Sequence, residues 1–178
     1  MTPDLFLTQT LVPGLSWLTT VIGNKPGAGP WQNDARGRLV LCAVSGQESN
    51  WADVAQDGSG VARGPFQTQE NDCADILFNP ASEQMMLKVC TALKITPTPP
   101  AIYDAILANP ATLAVALARL NLWCDPDPLP AYGDEGAGWE CYARVWRPGA
   151  PSRERWSVVY PQALAADKAW VAGQGTKA

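Results

Sequence analysis

Residues 39–67 read LVLCAVSGQESNWADVAQDGSGVARGPFQ, and this stretch decides how the rest of the chain is interpreted. An apolar run with helical spacing ends in the four polar residues 47–50, Gln-Glu-Ser-Asn. A polar turn follows at residues 57–60, Asp-Gly-Ser-Gly, and then the short string Ala-Arg-Gly-Pro-Phe-Gln at residues 62–67. The pattern predicts a buried helix that ends in polar groups, opposite a tight turn.

Glu48 is the residue of this stretch with the clearest chemical potential. Residues three or four apart share one face of a helix, so Glu48 lies on the face of Val44 and, one turn earlier, Leu41. A carboxyl group among apolar neighbours loses hydration, and its pKa rises. A protonated Glu48 can donate a proton to a glycosidic oxygen near neutral pH. The simpler interpretation is a solvated charge at a helix end.

The turn after the helix predicts a small hairpin. Asp57-Gly58 is a hairpin turn signal, and it stands between short runs that contain Val54 and Val61. The glycines of this segment allow a sugar to approach the backbone closely. A helix that ends at Glu48 and a hairpin opposite it would form the two walls of a cleft.

These motifs resemble the lysozyme-like superfamily, especially its branch of soluble lytic transglycosylases and goose-type lysozymes. That branch has a Glu-Ser pair at a helix end and, further along, a Gly-Ala-x-Gly-Leu-Met-Gln string. The corresponding residues are Glu48-Ser49 and residues 61–67. The chain is also similar to phage-encoded lysozyme-like proteins that share a Trp-x-x-Tyr-x-x-x-Trp-Arg-Pro-Gly element, which stands here at residues 139–149.

The resemblance implies an α+β fold, predominantly α-helical, with a small β-hairpin beside the catalytic helix. It implies a muramidase or lytic transglycosylase that cleaves the MurNAc-β-1,4-GlcNAc bond of peptidoglycan with Glu48 as the general acid. In a transglycosylase the same Glu48 then takes the proton of the muramyl 6-hydroxyl group. The substrate-binding residues implied are Ser49, Asp57, Arg63, Phe66, Gln67 and Tyr142.

The chain departs from the family pattern at one element. Superfamily members often carry Ala-Tyr-Asn-x-Gly on the cleft floor, whereas residues 118–121 read Ala-Arg-Leu-Asn. The tyrosine that would steady the acid is therefore absent there, and Tyr142 is the candidate to replace it. A hydrolase also needs a second carboxylate to activate water, and Asp57 and Glu70 are the nearest candidates in sequence.

Two other functions stay open at this point. The chain could be a phage structural protein that keeps the lysozyme fold without activity. It could also be a chitinase-like glycoside hydrolase, since such enzymes share the fold and the single dominant glutamate. A substrate panel of chitin oligomers and purified cell walls separates these alternatives.

The 178 residues suit one domain, with residues 1–32 as an N-terminal helical extension and residues 173–178 as a frayed tail.

Composition excludes several classes of function. A net charge of −4 without a run of Lys or Arg argues against nucleic acid or an anionic membrane surface as a partner. The absence of histidine removes Ser-His-Asp and Cys-His catalysis and His-based zinc sites, so we expect no metal and no cofactor.

The cysteines and the N-terminus bear on the compartment. Five cysteines without a C-x-x-C pair favour buried free thiols. Residues 1–4 lack the basic start of a signal peptide, Pro13-Gly14 interrupts the apolar run, and no stretch looks long and apolar enough to span a bilayer. We therefore expect a protein of the host cytoplasm or the phage virion. A holin or the virion, with phage virion proteins as partners, would deliver it to the periplasmic cell wall.

Overall fold

The computed structural model describes residues 1–23, 31–52 and 61–175, and regular structure within them is helical. The α-helices are α1 (Pro3–Phe6), α2 (Val12–Ile22), α3 (Ala35–Ser49), α4 (Glu70–Phe78), α5 (Glu83–Leu93), α6 (Pro99–Asp104), α7 (Val115–Cys124), α8 (Glu135–Trp146) and α9 (Arg153–Gly175). Two π-helical turns, Leu7–Leu11 and Pro110–Ala114, lead into α2 and α7, and a 3-10 turn, Trp31–Asn33, precedes α3.

The described residues form an all-α structure, which corrects the expected α+β class. They contain one isolated β-bridge, in which the backbones of Arg63 and Thr68 exchange two hydrogen bonds of 2.9 Å. This bridge closes a tight turn, and no strand extends from it within the described residues. The hairpin predicted at Asp57-Gly58 falls on residues 53–60, which lie outside them.

The N-terminal segment is one continuous helix from Pro3 to Ile22, not a run broken at Pro13. Pro13 lies in the first turn of α2, directly after the π-helical turn, where its missing N–H removes little from the helix. Gly14 serves close packing, because a Cβ there would come within 2.4 Å of the carbonyl oxygen of Ala111. Pro13 and Gly14 therefore lie within the helix and do not end it.

This helix also corrects the expectation about membrane-spanning segments. With 20 residues it is long and apolar enough to cross a membrane by length and composition, a property that buried core helices share. One face of it packs into the protein core through the side chains of Phe6, Leu7, Leu11, Leu15 and Leu18.

Helix α3 is the central element. Asp34 caps its start by accepting hydrogen bonds from the N–H groups of Arg36 and Gly37. Every residue from Gly37 to Gln47 is buried, because α9, α7 and the N-terminal helix surround it. Its small residues allow this crowding, since a Cβ on Gly46 would come within 2.6 Å of the Trp51 ring.

A buried ion pair fixes α3 against α9. The guanidinium of Arg38 donates hydrogen bonds to both carboxylate oxygens of Asp167, the longer of them at 3.1 Å. The hydroxyl of Tyr132 donates a further bond of 2.8 Å to Asp167, and the ring of Trp170 covers Arg38. These groups compensate one another's loss of water, so α3 is held in one position along α9.

Helices α8 and α9 complete the frame around the end of α3. Asp134 caps α8 by accepting a hydrogen bond of 2.9 Å from the N–H of Ala137. The hydroxyl of Ser152 accepts a bond of 3.1 Å from the N–H of Arg155 in the first turn of α9. Asn79 ends α4, and α5 begins at Glu83.

Candidate functional site

The end of α3 places Glu48 at the surface of the core. Asn50 adopts the left-handed conformation (φ 57°), and its N–H bonds to the carbonyl of Gly46, which ends the helix. The next residue, Trp51, turns back and is buried, and its indole N–H donates to the carbonyl of Cys42 at 2.8 Å. Glu48 is thereby left in the last turn, partly buried and next to open space.

Tyr142 on α8 holds the carboxyl group of Glu48. Its hydroxyl donates a hydrogen bond of 2.6 Å to Oε1 of Glu48. The tyrosine ring is buried and stacks on Trp156 of α9, with ring centroids 5.2 Å apart and planes 16° apart. Helix α8 thus brings to Glu48 the tyrosine that the sequence offers as a replacement.

Burial raises the pKa of Glu48 above its ordinary value of 4.5. The hydrogen bond from Tyr142 and the positive charge of Arg155 act in the opposite direction, and the negative charge of Asp72 raises the pKa further. The same environment raises the pKa of Tyr142, mainly by burial and then through Glu48. The surroundings of Glu48 therefore favour its protonated form, and an acid catalyst must carry a proton to donate.

The open space beside Glu48 is a groove of about 780 Å³. Its lining comes from the end of α3, from the turn and helix start at residues 62–75, and from the end of α8 with the residues after it. Two aromatic residues, Tyr142 and Trp146, contribute to the lining. The other polar side chains are mostly carboxamides and carboxylates: Gln47, Glu48, Gln67, Gln69, Asn71, Asp72, Asp75 and Arg147.

Of the substrate-binding residues that the sequence predicts, Gln67 and Tyr142 line this groove. Gln67 has a positive φ of 49°, and its side chain amide donates to the carbonyl of Gly64 at 3.0 Å. Asp57 lies outside the described residues. The other three predicted residues have different surroundings.

Ser49, Arg63 and Phe66 do not line the groove and contact other parts of the protein. The hydroxyl of Ser49 lies 2.9 Å from the carbonyl oxygen of Pro65 and donates to it, which ties the end of α3 to the turn. The guanidinium of Arg63 stacks on Tyr103 at 3.9 Å and pairs with an exposed aspartate of α6. Phe66 is buried against Phe6, with ring centroids 6.0 Å apart.

Sequence reasoning missed Asp72. Of the two carboxylates that it named, Asp57 lies outside the described residues, and Glu70 is exposed and outside the groove lining. Asp72 occupies the third position of α4 in a capping box, where its Oδ2 accepts a hydrogen bond of 2.7 Å from the N–H of Gln69. Burial raises its pKa, and the charge of Asp75 adds to this effect. The spacing of Gln69 and Asp72 could have located the helix start, but nothing in it indicates the groove.

Arg155 is a second residue that sequence reasoning missed. Its guanidinium donates two hydrogen bonds, of 2.8 and 3.2 Å, to the carbonyl of Gly46 in the last turns of α3. A cation at this point stabilises the carbonyl end of the helix. Its charge also favours the ionised form of Glu48. Arg155 therefore ties α9 to the end of α3 and also affects the protonation of Glu48.

The chemistry available in the groove is proton transfer by carboxyl groups. Among the described residues, no three His, Cys, Asp or Glu side chains come together as they would around a metal ion. The five cysteines all lie in the described part of the chain, and all are free thiols. Searches of family models, curated proteins and solved structures found no match to this chain.

Proposed function

We propose that this protein cleaves the MurNAc-β-1,4-GlcNAc bond of peptidoglycan, as a muramidase or lytic transglycosylase, with Glu48 as the proton donor. The observation that carries the proposal is the placement of Glu48. It combines a half-buried carboxyl group of raised pKa, a tyrosine hydroxyl at 2.6 Å and an open groove. A carboxylic acid of this kind can protonate the leaving oxygen of a glycosidic bond.

The groove suits a polymer rich in hydroxyl and amide groups. Side chains of Gln47, Gln67, Gln69 and Asn71 offer both donors and acceptors, which match the hydroxyl and acetamido groups of amino sugars. Trp146 adds a flat apolar face of the type that sugar rings pack against. An open groove also admits the middle of a long chain.

The charges in the groove argue against a nucleic acid substrate. Arg147 is the one cation among the described groove residues, and its guanidinium pairs with Asp75 at 3.0 Å. Glu48, Asp72 and Asp75 make the rest of the lining acidic. A phosphate backbone would meet repulsion there, because its binding depends on clustered Lys and Arg.

A lysozyme-like fold belongs to the same proposal. The motifs at residues 48–49, 61–67 and 139–149 support it, and so do a buried central helix that ends at the acid and a tight turn beside that end. We also propose that a holin or a virion delivers the protein to the wall. In that setting phage virion proteins would be its partners.

The test is a digestion of two substrates with the purified protein. Purified cell-wall sacculi should release muropeptides, identified by mass, and chitin oligomers should stay intact. Cleavage of chitin oligomers in preference to sacculi would replace the proposal with a chitinase-like hydrolase. A folded protein that releases nothing from either substrate would favour a structural protein of the phage.

A further inference from the structure

Asp72 lines the same groove as Glu48 and lies on a different helix, α4. Its capping bond to Gln69 uses one carboxylate oxygen, Oδ2. The other oxygen, Oδ1, makes no hydrogen bond to any described residue, and Asp72 contributes to the lining of the groove. One acid from α3 and one carboxylate from α4 thus share a single open space.

We propose that Asp72 is the base that deprotonates the attacking water, so that the cleavage is a hydrolysis with inversion at the anomeric carbon. This proposal rests on the proposed function and assigns a second catalytic residue to it. The capping bond ties the Asp72 side chain to the backbone of its own helix. A carboxylate held in this way can accept a proton from a bound water molecule without moving, whereas a nucleophile would have to bond to the anomeric carbon itself.

The electrostatics of the pair support this division of roles. The negative charge of Asp72 raises the pKa of Glu48, so the two groups repel each other when both are ionised. The charge of an ionised Asp72, although a smaller cause than burial, thus favours the state in which Glu48 keeps its proton. That state contains one acid and one base, as an inverting glycosidase requires.

The reaction balances with these two groups and one water molecule. The proton of Glu48 passes to the glycosidic oxygen as the bond from that oxygen to C1 of MurNAc breaks. The water oxygen bonds to C1 from the opposite face, and its proton passes to Asp72. The products are a free 4-hydroxyl group on GlcNAc and a reducing MurNAc end in the α configuration. Proton exchange with solvent then restores Glu48 and Asp72.

A structural role as a helix cap is the competing explanation, and Asp72→Asn separates the two. Asparagine keeps an acceptor for the N–H of Gln69 but cannot take a proton at neutral pH. The matched control is Asp4→Asn, since Asp4 is an exposed aspartate in the first turn of α1. Wall lysis and thermal unfolding are measured on both variants and on the unchanged protein.

Asp72→Asn should unfold near the temperature of the unchanged protein while its lysis rate falls at least about a hundredfold. Asp4→Asn should keep the full rate. Released muropeptides should end in reducing α-MurNAc, and azide added to Asp72→Ala should restore cleavage with formation of an α-glycosyl azide. Azide can fill the space of the lost carboxylate and attack without a base.

Three results would overturn the role of Asp72: anhydro-muramyl ends from the unchanged protein, products of the β configuration, or a full lysis rate in folded Asp72→Asn. Glu48→Gln, run alongside, shows which proposal has failed. If Glu48→Gln is inactive and Asp72→Asn is fully active, Glu48 remains the acid and Asp72 is only a cap. If Glu48→Gln also keeps the full rate, the proposed function falls and the role of Asp72 falls with it.

Discussion

The hydroxyl of Tyr142 donates a 2.6 Å hydrogen bond to Oε1 of Glu48, joining residues from helices that are far apart in the sequence. The ring behind that hydroxyl is buried and stacked on Trp156, so the bond fixes the carboxyl group from a rigid support. Burial favours the protonated form of Glu48, and the bond from Tyr142 favours the ionised form. The pKa of the acid reflects the balance between them.

Replacing Tyr142 with phenylalanine should shift the pH dependence of lysis. Tyr142→Phe removes a bond that stabilises the ionised carboxylate, so the pKa of Glu48 rises further and the basic limb of the pH–rate profile moves to higher pH. The ring stays in place, and the loss of one partly buried bond should cost about 1–2 kcal/mol of unfolding free energy. The profile is measured by turbidity of cell walls across the pH range.

The control for this change is Tyr103→Phe. Tyr103 also donates one hydrogen bond, of 2.8 Å, to the carbonyl of Val61, but it does not contact Glu48. Its loss should leave the pH limb unmoved. A Tyr142→Phe profile that coincides with that of the unchanged protein would show that this hydroxyl does not tune the acid.

The raised pKa of Glu48 should also appear in the pH dependence of stability. The folded protein binds the Glu48 proton more tightly than the unfolded chain, whose value is near 4.5. Its contribution to stability is therefore complete below that pH and is lost as the pH rises through the folded pKa. Glu48→Gln has no carboxyl group to titrate at this position and does not show this loss. Its free energy of unfolding should therefore rise relative to that of the unchanged protein as the pH rises from 4 to 8.

Urea unfolding at several pH values measures this difference. Asp72, whose pKa is raised as well, is present in both proteins, and its own titration contributes to both curves. Curves that stay parallel from pH 4 to pH 8 would mean that folding does not perturb Glu48.

Gly46 should tolerate no side chain. A Cβ at this position would come within 2.6 Å of Trp51 and 3.1 Å of the Cβ of Val159. Gly46→Ala should therefore lower the free energy of unfolding by about 1–3 kcal/mol through overpacking. Gly173→Ala is the matched control, because a Cβ there meets no atom within 4 Å, and it should raise stability by about 0.4–1 kcal/mol. Equal effects at the two sites would contradict this packing.

The Arg38–Asp167 pair should be strongly coupled. Asp167→Asn leaves the buried guanidinium of Arg38 without its counter-charge, which should cost about 3–5 kcal/mol. The double variant Arg38→Met, Asp167→Leu should lose much less unfolding free energy than the summed losses of Arg38→Met alone and Asp167→Leu alone. Arg36→Met removes an exposed ion pair and should cost less than about 1 kcal/mol. Additive losses at Arg38 and Asp167 would argue against a buried pair.

Local sequence signals predicted the parts of the site that depend on one helix. The helix end at Glu48 follows from a few neighbouring residues, because polar groups close the apolar run. Tyr142 was named through the resemblance, as the candidate to replace the missing tyrosine, and not through periodicity.

The parts that sequence reasoning missed depend on contacts between distant segments. Arg63 turns toward Tyr103 and Phe66 toward Phe6, so neither reaches the groove that their motif predicts. Arg155 reaches Gly46 across 109 positions of sequence. Asp72 carries only the signal of a helix cap. No local pattern specifies which turn of a helix will face a groove.

The proposal depends most directly on Glu48→Gln, assayed for wall lysis and for melting temperature on the same preparation. Glutamine keeps the size of the side chain and can still accept the bond from Tyr142, but it has no carboxyl proton to donate. The matched control is Glu140→Gln, an exposed glutamate on α8 that should lyse walls at the full rate. We predict that Glu48→Gln melts at or above the temperature of the unchanged protein and lyses walls at least about a hundredfold more slowly. A folded Glu48→Gln protein that lyses walls at the full rate would contradict Glu48 as the acid.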